Sequence, residues 1–224
     1  MKNVNSINEL IKRFEKIVLE ESNLIRNGSL VALKHVATGK YLCSIKNLRY
    51  TTGSKSQLVF IGSSEPIPNS LWKIEFGGEL AAYTENSIML RHVKSDKYLG
   101  IFYYYYDYIN RKYINDYYKS PSTNYTEVSC KSGNDGYWNG NWKFNHSKLE
   151  NYQGYLKSND IFNLSIKKCD NNGKIQDDQV EFLRSHDIQF TVENDTFQEV
   201  VCHNERLGGN DEWCIELIHE VKIF

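Results

Sequence analysis

Residues 30–42 read LVALKHVATGKYL, and residues 87–99 read SIMLRHVKSDKYL. The two stretches match position by position at an offset of 57, and each alternates apolar and polar residues on both sides of a small turn. Period-two alternation around such a turn indicates a β-hairpin. The chain therefore carries an internal repeat, which decides how the rest of the sequence is interpreted.

A second motif, Asn-x-x-Trp-x-apolar, occurs three times and places its tryptophans at Trp72, Trp142 and Trp213. Each copy follows an apolar strand pattern, and residues 40–75 align with 181–216 without a gap. Each unit reads as about four short strands, and units that cannot bury their apolar faces alone must pack against one another. The predicted fold is therefore all-β, a β-trefoil of three four-stranded repeats with a six-strand barrel capped by hairpins.

The N-terminal segment has a different period. Apolar residues within 6–26 recur at helical spacing, Ser6-x-x-Glu9 forms a capping box, and Asn27-Gly28 supplies a stop. We expect an amphipathic helix within residues 1–27 whose apolar stripe packs on the barrel or on a partner. The predicted organisation is a helix at 1–27, a trefoil at 28–218 with repeats near 28–76, 86–146 and 160–218 and an insertion at 101–125, and a tail at 219–224.

Composition narrows the classes of partner. The chain of 224 residues has 27 Lys+Arg against 28 Asp+Glu, so it lacks the basic excess of a nucleic-acid-binding protein. No stretch has the roughly 18 consecutive apolar residues of a membrane span, and the N-terminus lacks a signal-peptide core. Five cysteines without a CxxC pair indicate reduced thiols and no zinc site. We therefore expect a cytoplasmic protein with no nucleic-acid partner, and we discount its five Asn-x-Ser/Thr sequons.

Catalytic signatures are missing from the sequence. It has no GxSxG, HExxH, P-loop or dinucleotide fingerprint. The three motif tryptophans occupy equivalent positions, which favours core packing over sugar stacking. His35 and His92 are also related by the repeat, which favours a role in the fold. We expect a protein that is not an enzyme and that carries no cofactor and no metal.

The hairpin and tryptophan motifs together carry a family resemblance. They include Val31-x-Leu33-x-His35-x-x-Thr38-Gly39-x-Tyr41-Leu42, the weaker Leu183-Arg184-Ser185-His186, the Gln-Glu-Val pattern at 198–200 and the Asn-x-x-Trp ends. In these residues the chain resembles the MIR domain, which is shared by protein O-mannosyltransferases, inositol trisphosphate and ryanodine receptors, and stromal-cell-derived-factor-2-like proteins. The resemblance covers about residues 28–218 and implies a β-trefoil that serves as a non-catalytic binding module.

One loop resembles the phosphate-binding loop of a member of this family. In inositol trisphosphate receptors a trefoil offers an Arg-Thr-Thr-Gly-Arg loop to phosphates, and the similar stretch here runs from Arg49 to Lys55. Its candidate phosphate ligands are Arg49, Thr51, Thr52, Gly53 and Lys55. Arg49 and Lys55 are each displaced by one position, which on a strand reverses the face of the side chain. Phosphoinositide binding is therefore kept as an alternative function.

Tyrosines concentrate in the insertion. Nine of the sixteen fall within 23 residues, and tyrosine gives a contact surface a large area at low cost in side-chain entropy. The candidate contact residues are Tyr103, Tyr104, Tyr105, Tyr106, Tyr108, Tyr113, Tyr117 and Tyr118. The alternative is a hairpin folded back on the barrel, with half of these side chains buried.

The sequence thus predicts a non-catalytic module that recognises a protein or a glycan. The alternatives are an accessory domain of a glycosyl- or other ligand-transferring system and, as above, a phosphoinositide-binding trefoil. A structural or oligomerising role through the N-terminal helix is a further possibility.

Overall fold

A computed structural model of the chain describes residues 7–83, 87–104, 116–133, 138–149, 152–169 and 174–218. Within these residues it contains one α-helix, α1, at Ile7–Ser22, and two short 3-10 helices at Pro68–Ser70 and Gly209–Asp211. Its strands are β1 Leu30–His35, β2 Lys40–Arg49, β3 Gln57–Ile61, β4 Leu71–Phe76, β5 Ile88–His92, β6 Lys97–Tyr104, β7 Asp116–Tyr117, β8 Thr126–Lys131, β9 Trp138–Asn139, β10 Trp142–His146, β11 Ile161–Cys169, β12 Ile175–Val192, β13 Asp195–His203 and β14 Trp213–Leu217. The predicted tail at 219–224 lies outside the described residues, and the predicted repeat boundaries remain predictions.

The strands form a closed antiparallel barrel. Ten strands follow one another in the order β10, β11, β12, β13, β8, β3, β2, β1, β4 and β5, and β5 closes the path by pairing with β10 at Ile88 and Trp142. The all-β class and the N-terminal helix agree with the prediction. The trefoil prediction was wrong, because a trefoil has a six-strand barrel with separate caps, whereas here ten strands pair around one closed path.

Strand continuity is the physical reason for this difference. β12 runs for 18 residues and pairs with β11 at one end and with β13 along the rest, so the predicted barrel strand and cap strand are one element. Irregularities between Ser44 and Arg49 in β2, and between Ser185 and Gln189 in β12, bend these long strands without ending them. The hydrophobic pattern marks the apolar residues of each strand but not where a bent strand ends.

The repeat is visible in the core. Trp72, Trp142 and Trp213 are each fully buried, as predicted. Each indole N–H donates to a backbone carbonyl, at 3.0 Å for Leu42, 2.8 Å for Leu99 and 3.0 Å for Leu183. The three acceptors are equivalent in the repeat. The motif tryptophans therefore tie each repeat's last strand to its hairpin.

The repeated histidines connect one repeat to the next. His92 lies against Trp72, and its Nε2 is 3.1 Å from the carbonyl oxygen of Asn69, which begins the same Asn-x-x-Trp motif. His35 makes the matching contacts with Trp213 and, at 3.0 Å, with Asn210. Burial lowers the pKa of both imidazoles, which keeps them neutral in the core. The two sequence motifs are thus halves of one packing unit.

Helix α1 differs from the predicted packed helix. None of its residues is buried, and Phe14 is 68% exposed. The chain joins the barrel only after the helix ends, where Leu24 bridges to Lys157 and Ile25 is completely buried. Packing on the barrel is therefore not what covers the apolar stripe.

Candidate functional site

The predicted tyrosine contact residues do not all lie on the surface of the protein. Tyr103 and Tyr117 are only 6% and 4% exposed, and their ring centroids lie 5.5 Å apart within the core. The Tyr117 hydroxyl accepts a 2.7 Å hydrogen bond from the backbone N–H of Cys169, and burial raises its pKa. These two residues fill the core and offer no contact area, which corrects the prediction for them.

The other tyrosines of that set have different outcomes. Tyr118 is half-buried, and its ring stacks on Phe102 with centroids 5.4 Å apart. Tyr104 belongs to β6, and its side chain lies outside the described part of the structure. Four members lie outside the described residues: Tyr105, Tyr106, Tyr108 and Tyr113. A contact role for Tyr118 and for those four stays a prediction.

The predicted phosphate loop holds a carboxylate of this chain. The five candidate residues are exposed to solvent: Arg49, Thr51, Thr52, Gly53 and Lys55. On the inner side of the loop, the backbone N–H of Ser54 donates to Glu127 at 3.1 Å, and the Ser54 hydroxyl donates to the same carboxyl.

The loop is built closely around this carboxyl. Gly53 has a φ of 59°, and a Cβ there would stand 2.0 Å from a Glu127 oxygen, so glycine serves both the turn and the close approach. Burial raises the pKa of Glu127, while the Ser54 donors oppose that rise. The loop's inward donors are thus engaged by an internal acid, which weighs against phosphate binding there.

A different site becomes visible when equivalent positions of the three repeats are compared. In the first repeat, Lys34 is paired across strands with Tyr41. The Tyr41 hydroxyl donates to Glu216 at 2.6 Å, and Lys34 lies 3.6 Å from the same carboxylate. We call these three residues the first cluster. A cation, a tyrosine and a carboxylate together cover the strands at this position.

The second repeat has the same arrangement. Arg91 is paired across strands with Tyr98, the Tyr98 hydroxyl donates to Glu75 at 3.0 Å, and an Arg91 nitrogen lies 2.8 Å from the Glu75 carboxylate. We call these residues the second cluster. Both clusters arise from register, since a β-strand points every second side chain to the same face.

The third repeat has different residues at all three positions of the cluster. Ser165 is paired across strands with Phe182, and Asn145 takes the place of the carboxylate. The Asn145 amide donates to the Ser165 hydroxyl at 2.7 Å. The cation, the phenol and the acid are thus replaced by shorter or less polar groups. No ion pair among these three residues spans the strands.

A cavity of about 770 Å³ opens at this position, and we call it the β10–β12 groove. It is lined by Ser87, Asn139, Asn141, Lys143, Asn145, Ser165, Lys167, Lys174, Ile175, Asp177, Val180 and Phe182. Several of these residues come from the ends of the β11–β12 hairpin, which is longer than the tight turns between β1 and β2 and between β5 and β6. Asn145, Ser165 and Phe182 therefore form the floor of the groove, and the longer β11–β12 hairpin forms its wall.

Polar groups are held in place around the groove. The Lys167 ammonium lies 2.5 Å from Asp177, and this lysine lowers the pKa of the Asp177 carboxyl. The buried Asn139 amide donates to the Lys167 carbonyl at 2.6 Å, which fixes the strand that carries the lysine. Lys143 and Lys174 also lower the Asp177 pKa through their charge. The wall is thus polar and carries both signs of charge beside the half-buried Phe182 ring.

Sequence reasoning missed this groove, although the signal was present. The gap-free alignment of residues 40–75 with 181–216 sets Tyr41 opposite Phe182. Asn145 stands three positions after Trp142, where Glu75 and Glu216 stand after their own tryptophans. The replacements of tyrosine by Phe182 and of glutamate by Asn145 could be found in the sequence. That they lie on one face of the sheet follows only from the strand register.

The described residues also bear on metal binding and on membrane spans. Among them, no group of three or more His, Cys, Asp or Glu side chains could hold a metal ion. No helix in that part of the chain is long and apolar enough to cross a membrane.

Comparison with known proteins gives similarity in structure but not in sequence. No protein-family model matches the chain, and no curated protein matches it either. Among solved structures it is similar to the SDF2-like protein from Arabidopsis thaliana, with a TM-score of 0.62 and 22% identity over 86% of this chain and 94% of that one. A Caenorhabditis elegans protein of unknown function gives a TM-score of 0.63 and 17% identity, over 88% of this chain and 98% of that one.

A third similar structure is the protein O-mannosyltransferase Pmt1-Pmt2 complex of S. cerevisiae bound to the sugar donor. The TM-score is 0.62 and the identity 19%, over 87% of this chain but only 26% of that one. Two of the three neighbours thus belong to the protein groups that the motif resemblance points to. At these identities the likeness establishes a shared fold, which is a MIR-like one.

Proposed function

We propose that this chain is a non-catalytic, MIR-type binding module that recognises a glycan in the β10–β12 groove. The carrying observation is that the third repeat leaves open the position that ionic clusters cover in the other two. The fold shared with an SDF2-like protein and with part of a mannosyltransferase complex bound to its sugar donor supports an accessory role in a sugar-handling system.

The composition of the groove suits a sugar. A pyranose presents hydroxyls around its rim and an apolar face of C–H groups, so it needs directed polar partners beside an aromatic or aliphatic surface. Phe182 supplies an aromatic ring, and Val180 and Ile175 continue the apolar surface. Asn145 and Ser165 supply amide and hydroxyl groups that both donate and accept. Such a site binds through contact alone and needs no reacting group.

A protein partner is the second candidate, favoured by an aromatic patch at the base of the insertion. Phe102, Tyr118 and Trp138 are half-buried, and the Phe102 ring contacts the other two. The Lys131 ammonium lies 3.4 Å from the Phe102 ring centroid. Aromatic residues with a nearby cation are enriched at protein interfaces. The cytoplasm stays the proposed compartment, supported by five cysteines that are free thiols.

A glycan array probed with the intact chain and with Phe182→Ala tests the proposal. Loss of the ring removes the aromatic part of the groove's apolar surface, so the variant should lose at least about tenfold in apparent affinity for the glycans that the wild type binds. Val93→Ala, which truncates an exposed apolar residue outside the groove, is the matched control and should bind like the wild type. Equal binding by Phe182→Ala and the wild type would exclude the groove.

A blank array would remove the glycan proposal and leave the protein partner. Affinity capture with the wild type and with Tyr118→Ala then tests the aromatic patch. A partner captured equally by both proteins would exclude that patch as its contact.

A further inference from the structure

Helix α1 is an amphipathic helix, and among the described residues of this chain none buries its apolar side. Its large apolar residues are between 48% and 76% exposed: Ile7, Leu10, Ile11, Phe14, Ile17, Val18 and Leu19. All but Leu19 recur at spacings of three and four, which places them on one stripe along the helix. An isolated helix of 16 residues is marginal in water, and an uncovered stripe of this kind indicates that something packs on it.

The charges of the helix indicate what packs there. Its polar side carries Glu9, Lys12, Arg13, Glu15, Lys16, Glu20 and Glu21, so it has no basic excess that would favour an anionic lipid surface. The charges are unevenly placed along the helix, with all three cations in its first two-thirds and two acids near its C-terminal end. Two copies of the helix run antiparallel would bring the basic part of each beside the acidic end of the other.

One register brings together the central apolar residues of the two stripes and also pairs opposite charges. With Phe14 opposite Ile17 of a second copy, the apolar residues that flank this layer also meet, Ile11 with Val18 of the other helix. In the same register, Arg13 faces Glu20 of the second copy, and the twofold symmetry creates that ion pair twice. Within one helix Arg13 already bonds Glu9 at 2.7 Å and Lys16 lies 3.9 Å from Glu20, so these side chains stand along the flanks.

We propose that α1 pairs antiparallel with α1 of a second copy of this chain, so that the protein forms a twofold dimer through its N-terminal helix. A helix of this length is about 24 Å long and buries a small area, so the dimer is weak and depends on concentration. The pairing is independent of the groove. It would, however, join two grooves in one particle and raise their apparent affinity for a ligand with repeated units.

Sedimentation velocity of the full chain over roughly a hundredfold range of concentration tests the pairing. The wild type should shift from monomer towards dimer, and Phe14→Asp, which places a charge in the central layer, should stay monomeric. Because Phe14 is exposed in the single chain, this variant should keep the wild-type melting temperature. Glu15→Lys alters a charge away from the proposed contact and should dimerise like the wild type.

A charge-exchange experiment tests the register. Arg13→Glu alone sets Glu against Glu across the pair, and Glu20→Arg alone sets Arg against Arg, so each variant should be monomeric. A mixture of the two should form a heterodimer, because both cross-helix pairs are then opposite in charge. Far-UV circular dichroism of each variant checks that the helix is retained.

Several results would overturn the proposal. A wild type that stays monomeric at the highest concentration would do so, and so would a Phe14→Asp variant that still dimerises. A wild-type dimer whose two charge variants do not associate on mixing would contradict the antiparallel register. Binding of the monomer to phosphatidylcholine–phosphatidylserine vesicles, with no self-association, would assign the stripe to a lipid surface.

Discussion

The first cluster and the β10–β12 groove occupy equivalent positions of the repeat and have opposite characters. At the first, Lys34 and Tyr41 both bond the Glu216 carboxylate across the strands. At the other, Phe182 and Asn145 leave a cavity of about 770 Å³. The pairing of Lys34 with Tyr41 and of Ser165 with Phe182 has the same register, so the difference comes from side-chain identity together with the longer β11–β12 hairpin. In this protein, the repeat position whose residues differ from those at the two equivalent positions is therefore the better candidate for a functional site.

The tryptophans mark what the repeats share, and their removal should have the largest effect on stability. Trp72→Ala, Trp142→Ala and Trp213→Ala should each lower the free energy of unfolding by about 3–5 kcal/mol, because each leaves a large cavity and an unpaired carbonyl. Urea denaturation of the three variants measures the losses. A loss below about 1 kcal/mol in any one of them would show that the repeats do not depend on the motif equally.

Asp211 marks where the repeats differ inside the core. It is fully buried and accepts hydrogen bonds from His203 and Arg184, both at 2.8 Å. The equivalent residue of the first repeat is Ser70, which bonds only nearby backbone. Although burial alone would raise it, these donors lower the pKa of Asp211 to about 2. Asp211→Asn should therefore destabilise the fold by about 3 kcal/mol at neutral pH, because it leaves buried donors without their charged acceptor.

The same carboxylate gives a pH dependence of known sign. Since the pKa of Asp211 is lower in the folded than in the unfolded chain, its contribution is complete near neutral pH. It is then lost as the pH falls from about 4 to about 2. Thermal melts across that range should show a fall in the melting temperature that is smaller in Asp211→Asn. Parallel curves for the two proteins would contradict the assignment.

The hydroxyls of the two clusters should contribute less. Tyr41→Phe and Tyr98→Phe each remove one hydrogen bond to a carboxylate and should cost about 0.5–1.5 kcal/mol. The reverse change, Phe182→Tyr, adds a hydroxyl beside Asn145, which replaces the carboxylate that accepts in the two clusters. We therefore expect no gain in stability. Chemical denaturation resolves this contrast. A clear gain from Phe182→Tyr would show that the third position is closer to a closed cluster than we infer.

Much of this architecture could be predicted from the sequence, because it depends on local patterns. The all-β class, the N-terminal helix and the buried tryptophans follow from periodicity and from the recurrence of Asn-x-x-Trp. The trefoil prediction was wrong because it depended on where strands end. A bend such as the one between Ser185 and Gln189 continues the strand, and the sequence shows no clear signal for it. Such bends are set by the packing of whole strands.

The candidate sites were harder to predict, for a physical reason in each case. Tyr103 and Tyr117 look like surface residues in a polar, tyrosine-rich segment, yet the pairing of β6 with β7 turns both into the core. The Thr-Thr-Gly loop looks like an anion site, and it does bind an acidic group, but that group is the Glu127 carboxyl more than 70 residues away. Contacts across such separations are decided by the fold.

Converting the open position into a closed one should change stability least. The triple variant Ser165→Lys, Phe182→Tyr, Asn145→Glu reproduces the first cluster in the third repeat. Its free energy of unfolding should stay within about 1 kcal/mol of the wild type, because half-exposed ion pairs contribute little. Denaturation of this variant must come first, since it shows that the barrel tolerates the change.

The most direct test of the central claim is the glycan-array binding of this triple variant beside its mirror control. That control, Lys34→Ser, Tyr41→Phe, Glu216→Asn, opens the first cluster and leaves the groove as it is. The account predicts that the closing variant loses the wild type's glycan binding by at least about tenfold while the control keeps it. Binding retained by a folded closing variant would show that the β10–β12 groove is not the recognition site.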